Sequence, residues 1–276
     1  MRSSIALVVL FLTCLAAPSS VVDGVSVSGG HLLRGGTARD VTPRAGVFDP
    51  AHSATIDSHD PRGGGLPPPN TIGVDPSKIH VLSESEPRAY VYRGFLRPSE
   101  CDYIVQSSTN GMAKSTVVDN NTGKSVPSTI RTSDGTFIGR GADSVISDIE
   151  RRISEWSHVP VENGEGLQVL RYKDGQRYDA HMDAFSDSFN QDEKKGGQRV
   201  ATVLMYLSDV AEGGETVFPL TTQKPHLLNS NYSACARRGV AVKPRKGDAL
   251  LFWSLDTSGT YWGFPKSRHT VLSLSW

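Results

Sequence analysis

The clearest chemistry in this 276-residue chain belongs to a His-x-Asp sequence, His181-Met182-Asp183. Residues two apart in a strand point to the same side, so the imidazole and the carboxylate would face one point. With one more histidine, such a pair forms the 2-His-1-carboxylate triad that holds non-haem Fe(II) and leaves coordination positions open. The same three letters also occur as an ordinary hydrogen-bonded surface pair, so the surrounding sequence must decide between the two interpretations.

The elements that must position this pair are predicted from apolar periodicity. Apolar and β-branched runs predict strands at 88–96, 166–172, 198–210, 213–219 and, as two strands, 239–255, with a hairpin at 115–126. Two helices are predicted at 97–109, with Ser99 as N-cap, and at 142–158, where Val145, Ile149, Ile153 and Trp156 recur at helical spacing before Pro160. Helices followed by strands favour an α+β fold, with the helices on one side of a β-sandwich or barrel.

Charge and N-terminal sequence indicate where the chain works. The 29 basic and 29 acidic residues balance, which argues against a nucleic-acid partner. An apolar run from Ile5 to Ala17 follows Arg2, so residues 1–20 are predicted to be a secretory signal peptide or, if uncleaved, a signal anchor that would tie the chain to a membrane. Both alternatives predict the lumen of the endoplasmic reticulum or Golgi.

Two further features fit a secreted protein. Residues 21–86 are rich in Gly, Pro and Ser and are predicted to be a flexible linker. Glycosylation sequons begin at Asn120 and Asn231. Cys101 and Cys235 would either pair in an oxidising lumen or remain as two free thiols.

Five stretches resemble the catalytic domain of the prolyl 4-hydroxylases, most closely the single-chain plant and algal type. They are residues 86–96, 115–133, 165–185, 196–219 and 242–256. The resemblance runs from about residue 87 to residue 256, within a domain that we assign to residues 87–276. It implies a double-stranded β-helix (jelly roll) core with N-terminal helices packed on one side. It also implies Fe(II), 2-oxoglutarate, O2 and ascorbate, and the 4-hydroxylation of prolines in Pro-rich secreted proteins while oxoglutarate is converted to succinate and CO2.

The resemblance assigns roles to individual residues. His181 and Asp183 match iron ligands, and Tyr172 and Thr216 match residues that contact oxoglutarate. Further matches fall on the groove for a peptide in polyproline II conformation, a ligand that suits aromatic grooves: Tyr178, Arg199, Trp253 and, in a loop over the substrate, Arg131. The alternatives are core packing for Tyr172, Tyr178 and Trp253, and a solvated loop for Arg131.

The resemblance stops near residue 257. The family continues with a histidine and, about ten residues later, a lysine that pairs with the distal carboxylate of oxoglutarate. His269 lies close to that histidine's position, ahead of an alternating stretch that predicts a strand, and is the candidate third ligand; the alternative is a chance match. No Lys or Arg follows His269, so weaker oxoglutarate binding is expected, because a buried carboxylate without a cation is costly.

The altered C-terminus keeps several hypotheses open. The final strands are missing or replaced, which predicts a sheet edge without ladder partners. The chain is then either a frameshifted product of a gene for an ordinary hydroxylase or a variant with weak or no catalysis. The function is accordingly a prolyl 4-hydroxylase, with a family member that only binds Pro-rich peptides as the alternative. Another Fe(II)/oxoglutarate oxygenase, acting for example on lysine, is disfavoured by the close match of the groove stretches.

Overall fold

In a computed structural model, the protein is described over residues 4–14, 73–85, 87–118, 125–127, 129–219, 221, 232–255 and 272–275. The candidate ligand His269, both sequon asparagines and most of the predicted linker lie outside these residues. Within them, no helix is both long enough and apolar enough to cross a membrane.

Two α-helices form where the periodicity predicts them. Helix α1 spans Pro98–Ser108, but its N-cap is Arg97 and the prediction of Ser99 is wrong, since Pro98 already occupies the first helical position. Helix α2 spans Ser144–Ser157 and is capped by the side chain of Asp143. It ends before Pro160, because His158 adopts a left-handed conformation with φ 58°.

Fourteen strands make up the β structure of the described residues. They are β1 Ser4–Cys14, β2 Ile79–Ser83, β3 Ala89–Tyr92, β4 Ala113–Lys114, β5 Thr116–Val118, β6 Ser125–Pro127, β7 Asp134–Ile138, β8 Leu167–Lys173, β9 Arg177–His181, β10 Gln198–Tyr206, β11 Thr216–Phe218, β12 Val240–Val242, β13 Ala249–Trp253 and β14 Leu272–Ser275. Short 3-10 turns lie at Pro76–Lys78, Thr109–Gly111, Val161–Asn163, Glu193–Lys195 and Ala236–Arg238. Each of the predicted strands and the predicted hairpin is therefore confirmed, although most are shorter than the apolar run.

The strands are arranged in two principal antiparallel sheets. The large sheet has the order β2-β3-β13-β10-β1-β8-β7-β4, the small sheet has the order β12-β11-β14-β9, and β5 pairs with β6. One buried cluster joins the inner faces of the two sheets, and a second joins the outer face of the large sheet to α1 and α2. This arrangement is the predicted α+β jelly roll with helices packed on one side.

The predicted leader contributes a strand of the large sheet. Strand β1 pairs antiparallel with β8 on one side and with β10 on the other. Its side chains alternate: Leu7 and Val9 enter the cluster between the sheets, whereas Leu10 and Leu12 face the helices. Cleavage after residue 20 would therefore remove a strand that is paired on both edges.

The two sheets also differ from the prediction at their ends. The open sheet edge that we expected is wrong for the described residues, because β1 fills the gap between β8 and β10 and β14 pairs with both β9 and β11. The linker boundary near residue 86 is too late, since β2 pairs with β3 and the Asp75 N–H donates to the Tyr92 hydroxyl at 2.8 Å.

Candidate active site

The predicted metal pair converges at the end of β9. His181 is the last residue of the strand and Asp183 lies just beyond it, so the two converge at a strand end and not through the alternation of a continuous strand. The Nε2 atom of His181 lies 3.2 Å from Oδ1 of Asp183. Two neighbouring ligands that are each about 2.1 Å from a metal ion lie about 3 Å apart, so the pair fits one coordination sphere.

The imidazole of His181 is held in the orientation that metal binding needs. Its Nδ1 atom lies 2.9 Å from the backbone carbonyl of Asp179. When Nδ1–H donates to this carbonyl, Nε2 is the nitrogen that faces Asp183. A proton on Nε2 donates to that carboxylate, and a bound metal would take the place of this proton on the Nε2 lone pair.

The carboxylate of Asp183 is held from the neighbouring sheet. The hydroxyl of Thr202, in β10, donates to Oδ2 of Asp183 at 2.7 Å, which leaves Oδ1 toward His181. Burial alone would raise the pKa of Asp183, but hydrogen bonds from His181 and Thr202 and the charges of His181 and Arg199 outweigh it, so the pKa is lowered. The carboxylate is therefore ionised, as a metal ligand must be.

The described residues supply two ligands of a triad. Among them, no group of three His, Cys, Asp or Glu side chains stands close enough to hold a metal ion. His269, the predicted third ligand, lies outside the described residues, and its role stays a prediction. Cys101 and Cys235 do not form a disulfide, and neither is part of the metal pair.

An aromatic ring lies against His181, and a guanidinium lies against that ring. The ring of Tyr178 stacks on the imidazole with 3.6 Å between centroids. The guanidinium of Arg131 lies 4.8 Å from the centroid of the same ring. Burial raises the pKa of Tyr178 to about 12 despite the nearby Arg131, so the phenol is neutral. The structure therefore brings Tyr178 and Arg131 to the metal pair, and Arg131 is buried, not solvated as its alternative interpretation had it.

Arg199 lies close enough to Asp183 to affect its pKa and is fixed by several contacts. Its guanidinium makes two hydrogen bonds to the carboxylate of Glu165, at 2.7 Å and 2.9 Å. It also lies over the ring of Phe185, at 4.4 Å, and over the ring of Phe11 in β1, at 3.6 Å. Arg199 is thus at the rim of the site, with one of its faces covered by the N-terminal strand.

Tyr172 and Thr216 lie deeper, between the two sheets. Both are fully buried, and the Thr216 hydroxyl accepts a 2.9 Å hydrogen bond from Tyr206. Leu7 and Val9 of β1 belong to the same buried cluster as Tyr172. Burial raises the pKa of Tyr172, and the charge of Arg131 opposes this effect, which places Arg131 near its phenol. Their predicted contact with oxoglutarate stays a prediction.

Trp253 packs against the cluster on the helix side of the large sheet, and the guanidinium of Arg88 lies 5.1 Å from its ring. Its neighbour Phe252 faces the interior instead, because alternate residues of β13 point to opposite faces. The described contacts of Trp253 are those of core packing, and its place in the peptide groove stays a prediction.

Two residues of β10 were missed by sequence reasoning. Thr202 holds Asp183, and the amide of Gln198 accepts from the Phe185 N–H at 2.7 Å and donates to its carbonyl at 2.8 Å. Gln198 thus ties down the chain that follows Asp183. The available signal was the presence of two buried polar residues in an otherwise apolar strand, since such groups are placed where they have a partner.

The fold and the metal pair together define a class of oxygenase, and a family comparison agrees. Residues 167–275 match the model of the 2OG-Fe(II) oxygenase superfamily. A solved structure, the viral collagen prolyl hydroxylase of Paramecium Bursaria Chlorella virus-1 in complex with 2OG, is 25% identical and has a TM-score of 0.43, covering 68% of this chain and 94% of that one.

Comparison with plant proteins assigns the chain to one family within this superfamily. "Probable prolyl 4-hydroxylase 10" of Arabidopsis thaliana is 53% identical over 210 residues, which are 71% of this chain and 68% of the relative. "Prolyl 4-hydroxylase 2" of the same plant is 50% identical over 191 residues, 68% of this chain and 62% of the relative. The match thus spans about two thirds of the length of these relatives, and the chain belongs to the prolyl 4-hydroxylase family.

Proposed function

We propose that the chain is a prolyl 4-hydroxylase that acts on Pro-rich secreted proteins with Fe(II), 2-oxoglutarate, O2 and ascorbate. The observation that carries the proposal is the 3.2 Å approach of His181 Nε2 to Asp183 Oδ1 in a jelly roll of this family. When bound, iron and oxoglutarate supply the oxidising power for the reaction. His181, Asp183 and His269 hold the iron, and Tyr172 and Thr216 contact the co-substrate.

The peptide is proposed to lie across the rim of the site. A polyproline II chain presents rings and bare carbonyls to aromatic and cationic side chains at little entropic cost. Tyr178, stacked on His181, offers such a ring, and Arg199, held rigidly by Glu165, offers donors next to Asp183. These two residues position the target proline beside the metal.

The experiment measures succinate release and 4-hydroxyproline formation by the full chain with a Pro-rich peptide. We expect both products in equal amounts, and their loss in His181→Ala and Asp183→Ala. His80→Ala, which removes an exposed histidine of β2, is the matched control and should retain activity. Products formed equally by the His181 and Asp183 variants, or by none of the proteins, would contradict the proposal.

The alternative function, binding of Pro-rich chains without catalysis, has one observation in its favour. The described residues hold two metal ligands, and Leu7 and Val9 share the interior with Tyr172 and Thr216, whose side chains are fully buried. In that case a fluorescent Pro-rich peptide binds to the chain, Tyr178→Ala and Arg199→Ala weaken the binding, and His181→Ala does not. No succinate forms.

We further propose the lumen of the endoplasmic reticulum or Golgi as the location, supported by the apolar segment at residues 5–17 and the two sequons. A chain that keeps β1 in its sheet has neither lost this segment to a signal peptidase nor placed it in a membrane, so the N-terminus has three alternative states. N-terminal sequencing of the protein from cells, with a glycosidase digest, distinguishes these states. A mature N-terminus beyond residue 14 would show that the cellular form lacks β1.

A further inference from the structure

Two arginines are buried among the described residues, and only one of them has an acidic partner. Arg152, 3% exposed, contacts Glu100 and Asp148 at 2.6 Å and 3.1 Å. Arg131, 7% exposed, has no carboxylate within 4.0 Å among those residues. A buried charge is normally paired, because its desolvation is otherwise uncompensated. The contrast indicates that Arg131 is arranged for an anion.

The hydrogen bonds of Arg131 leave part of its guanidinium available. One terminal nitrogen donates to the side-chain carbonyl of Gln168 at 2.8 Å, and the other approaches the backbone carbonyl of Thr116 at 3.4 Å. Its Nε is buried and has no partner among the described residues. A guanidinium carries five N–H donors in a planar fork that matches a carboxylate. The Tyr172 phenol is a further hydrogen-bond partner, but all three partners are neutral, so none of them compensates the charge.

The backbone fixes Arg131 beside the metal pair. The segment around it pairs with β9: the Asp179 N–H donates to the Ile130 carbonyl at 2.8 Å, and the Thr132 N–H donates to the Arg177 carbonyl at 2.9 Å. The guanidinium is 4.8 Å from the Tyr178 ring, which is 3.6 Å from the imidazole of His181. The cation is therefore within reach of a five-carbon dicarboxylate whose other end lies at His181 and Asp183.

We infer that Arg131 anchors the distal carboxylate of 2-oxoglutarate. The inference rests on the proposed function and assigns Arg131 to the co-substrate instead of to the peptide. A fork-shaped guanidinium makes two charge-assisted hydrogen bonds to a carboxylate, where an ammonium group acts as a point charge. The Nε–H and one terminal N–H are the donors that such a carboxylate would take.

The experiment compares the binding of two ligands by the full chain and by its variants. Calorimetry measures binding of 2-oxoglutarate and of 2-oxopentanoate to the Mn(II)-loaded protein without O2; the second acid has a methyl group in place of the distal carboxylate. We expect the unmodified protein to prefer 2-oxoglutarate at least tenfold. Arg131→Gln should lower the affinity for 2-oxoglutarate about 10- to 100-fold and the affinity for 2-oxopentanoate by less than about twofold. Arg171→Gln, which removes a partly exposed guanidinium that already contacts Asp134, is the matched control and should change neither.

Several results would overturn the inference. The inference fails if the unmodified protein binds the two acids with equal affinity. It also fails if Arg131→Gln lowers the affinity for both acids equally or for neither. Thermal unfolding establishes that the variant is folded, and Arg131→Met, whose side chain still covers Tyr178, replaces it if it is not. Succinate release with a Pro-rich peptide is scored separately: its absence, with the acid preference intact, would reject the hydroxylase and leave the anchor standing.

Discussion

At the scale of single residues, the two oxygens of the Asp183 carboxylate have different tasks. One accepts from Thr202, and the other faces His181. The hydroxyl therefore sets the rotation of the carboxylate, much as partners behind metal ligands do in other sites. Because Thr202 is fully buried, no solvent molecule at the surface can take its place.

Replacing Thr202 should change metal binding before it changes the fold. We expect Thr202→Val, which keeps the shape of the side chain, to weaken binding of Mn(II) or Co(II) about 10- to 100-fold. Thr202→Ser keeps the hydroxyl and should stay within a few-fold of the original protein. Calorimetric metal titration measures both, and equal affinity in the Val and Ser variants would argue against the positioning role.

The reactivity of Cys101 follows from its burial in α1. Burial raises the pKa of this thiol to about 12, so almost no thiolate exists at pH 8. The peptide that contains Cys101 should remain unmodified by iodoacetamide in the folded protein and react fully in denaturant, as mass spectrometry will show. Because the folded-state pKa is raised, the associated stability is present below the pKa of the unfolded thiol and is lost as the pH rises toward 12. Modification of the folded chain at the denatured rate would show that Cys101 is accessible.

At the scale of elements, the two helices are joined through Arg152 of α2. Its guanidinium donates to the Phe95 carbonyl, to Glu100 of α1 and to Asp148. Glu100 is 1% exposed and also accepts from the backbone N–H of Arg97 at the start of α1. This polar centre lies in an otherwise apolar layer between the helices and the large sheet.

Breaking this contact should be costly because it leaves the buried Glu100 carboxylate with one ion pair instead of two, the remaining one being with the Arg97 guanidinium at 3.0 Å. We expect Arg152→Met to lower the free energy of unfolding by about 1–3 kcal/mol, as measured by urea denaturation. Adding Glu100→Gln removes the under-compensated charge and keeps an acceptor for Arg97, so the double variant should recover part of the loss. A double variant less stable than Arg152→Met would show that the charge is not the cause.

Elements whose signal is local were predictable, and elements whose position depends on pairing were not. Helix α2 follows from the spacing of Val145, Ile149, Ile153 and Trp156, all of which are buried. Strand β1 was not predictable, since an apolar run fits both a leader and a strand buried on two faces. Its placement depends on β8 and β10, which are far away in the sequence.

In the candidate site, too, features set by local sequence were predictable and features set by strand pairing were not. The spacing of His181 and Asp183 predicted that they meet, but they do so at the end of β9 and not through the strand alternation on which the prediction relied. The side of the sheet that Trp253 faces and the burial of Arg131 depend on the register of β13 and on the pairing of Arg131 with β9. A shift of one residue in a strand exchanges its two faces, and sequence pattern alone does not fix that choice.

At the scale of the whole molecule, β1 links both buried clusters. Leu7 and Val9 belong to the interior between the sheets, and Leu10 and Leu12 belong to the layer under the helices. No other described strand lies between β8 and β10, so the large sheet is continuous only when the N-terminus is in place.

A single truncation in β1 tests this dependence. Leu10 is 2% exposed, and Leu10→Ala should lower the free energy of unfolding by about 2–5 kcal/mol. Val81→Ala, on a strand residue that is 57% exposed, is the control and should cost little. Chemical denaturation of both variants gives the comparison, and equal stability of the two would mean that β1 is dispensable for the fold.

The pairing of β1 also implies a delay between the synthesis of this strand and the synthesis of its partners. β1 leaves the ribosome long before the strands β8 and β10 that pair with it, and its Thr13 hydroxyl donates to the carbonyl of Asn163, 150 residues further on. At roughly 5–20 residues per second, the ribosome needs on the order of ten seconds to make that partner. Throughout that interval the apolar β1 segment lacks these partners in the nascent chain and is open to any factor that binds such segments. The speed of elongation, and not only the affinity of the strand for its slot, therefore decides whether the N-terminus is captured by such a factor or completes the sheet.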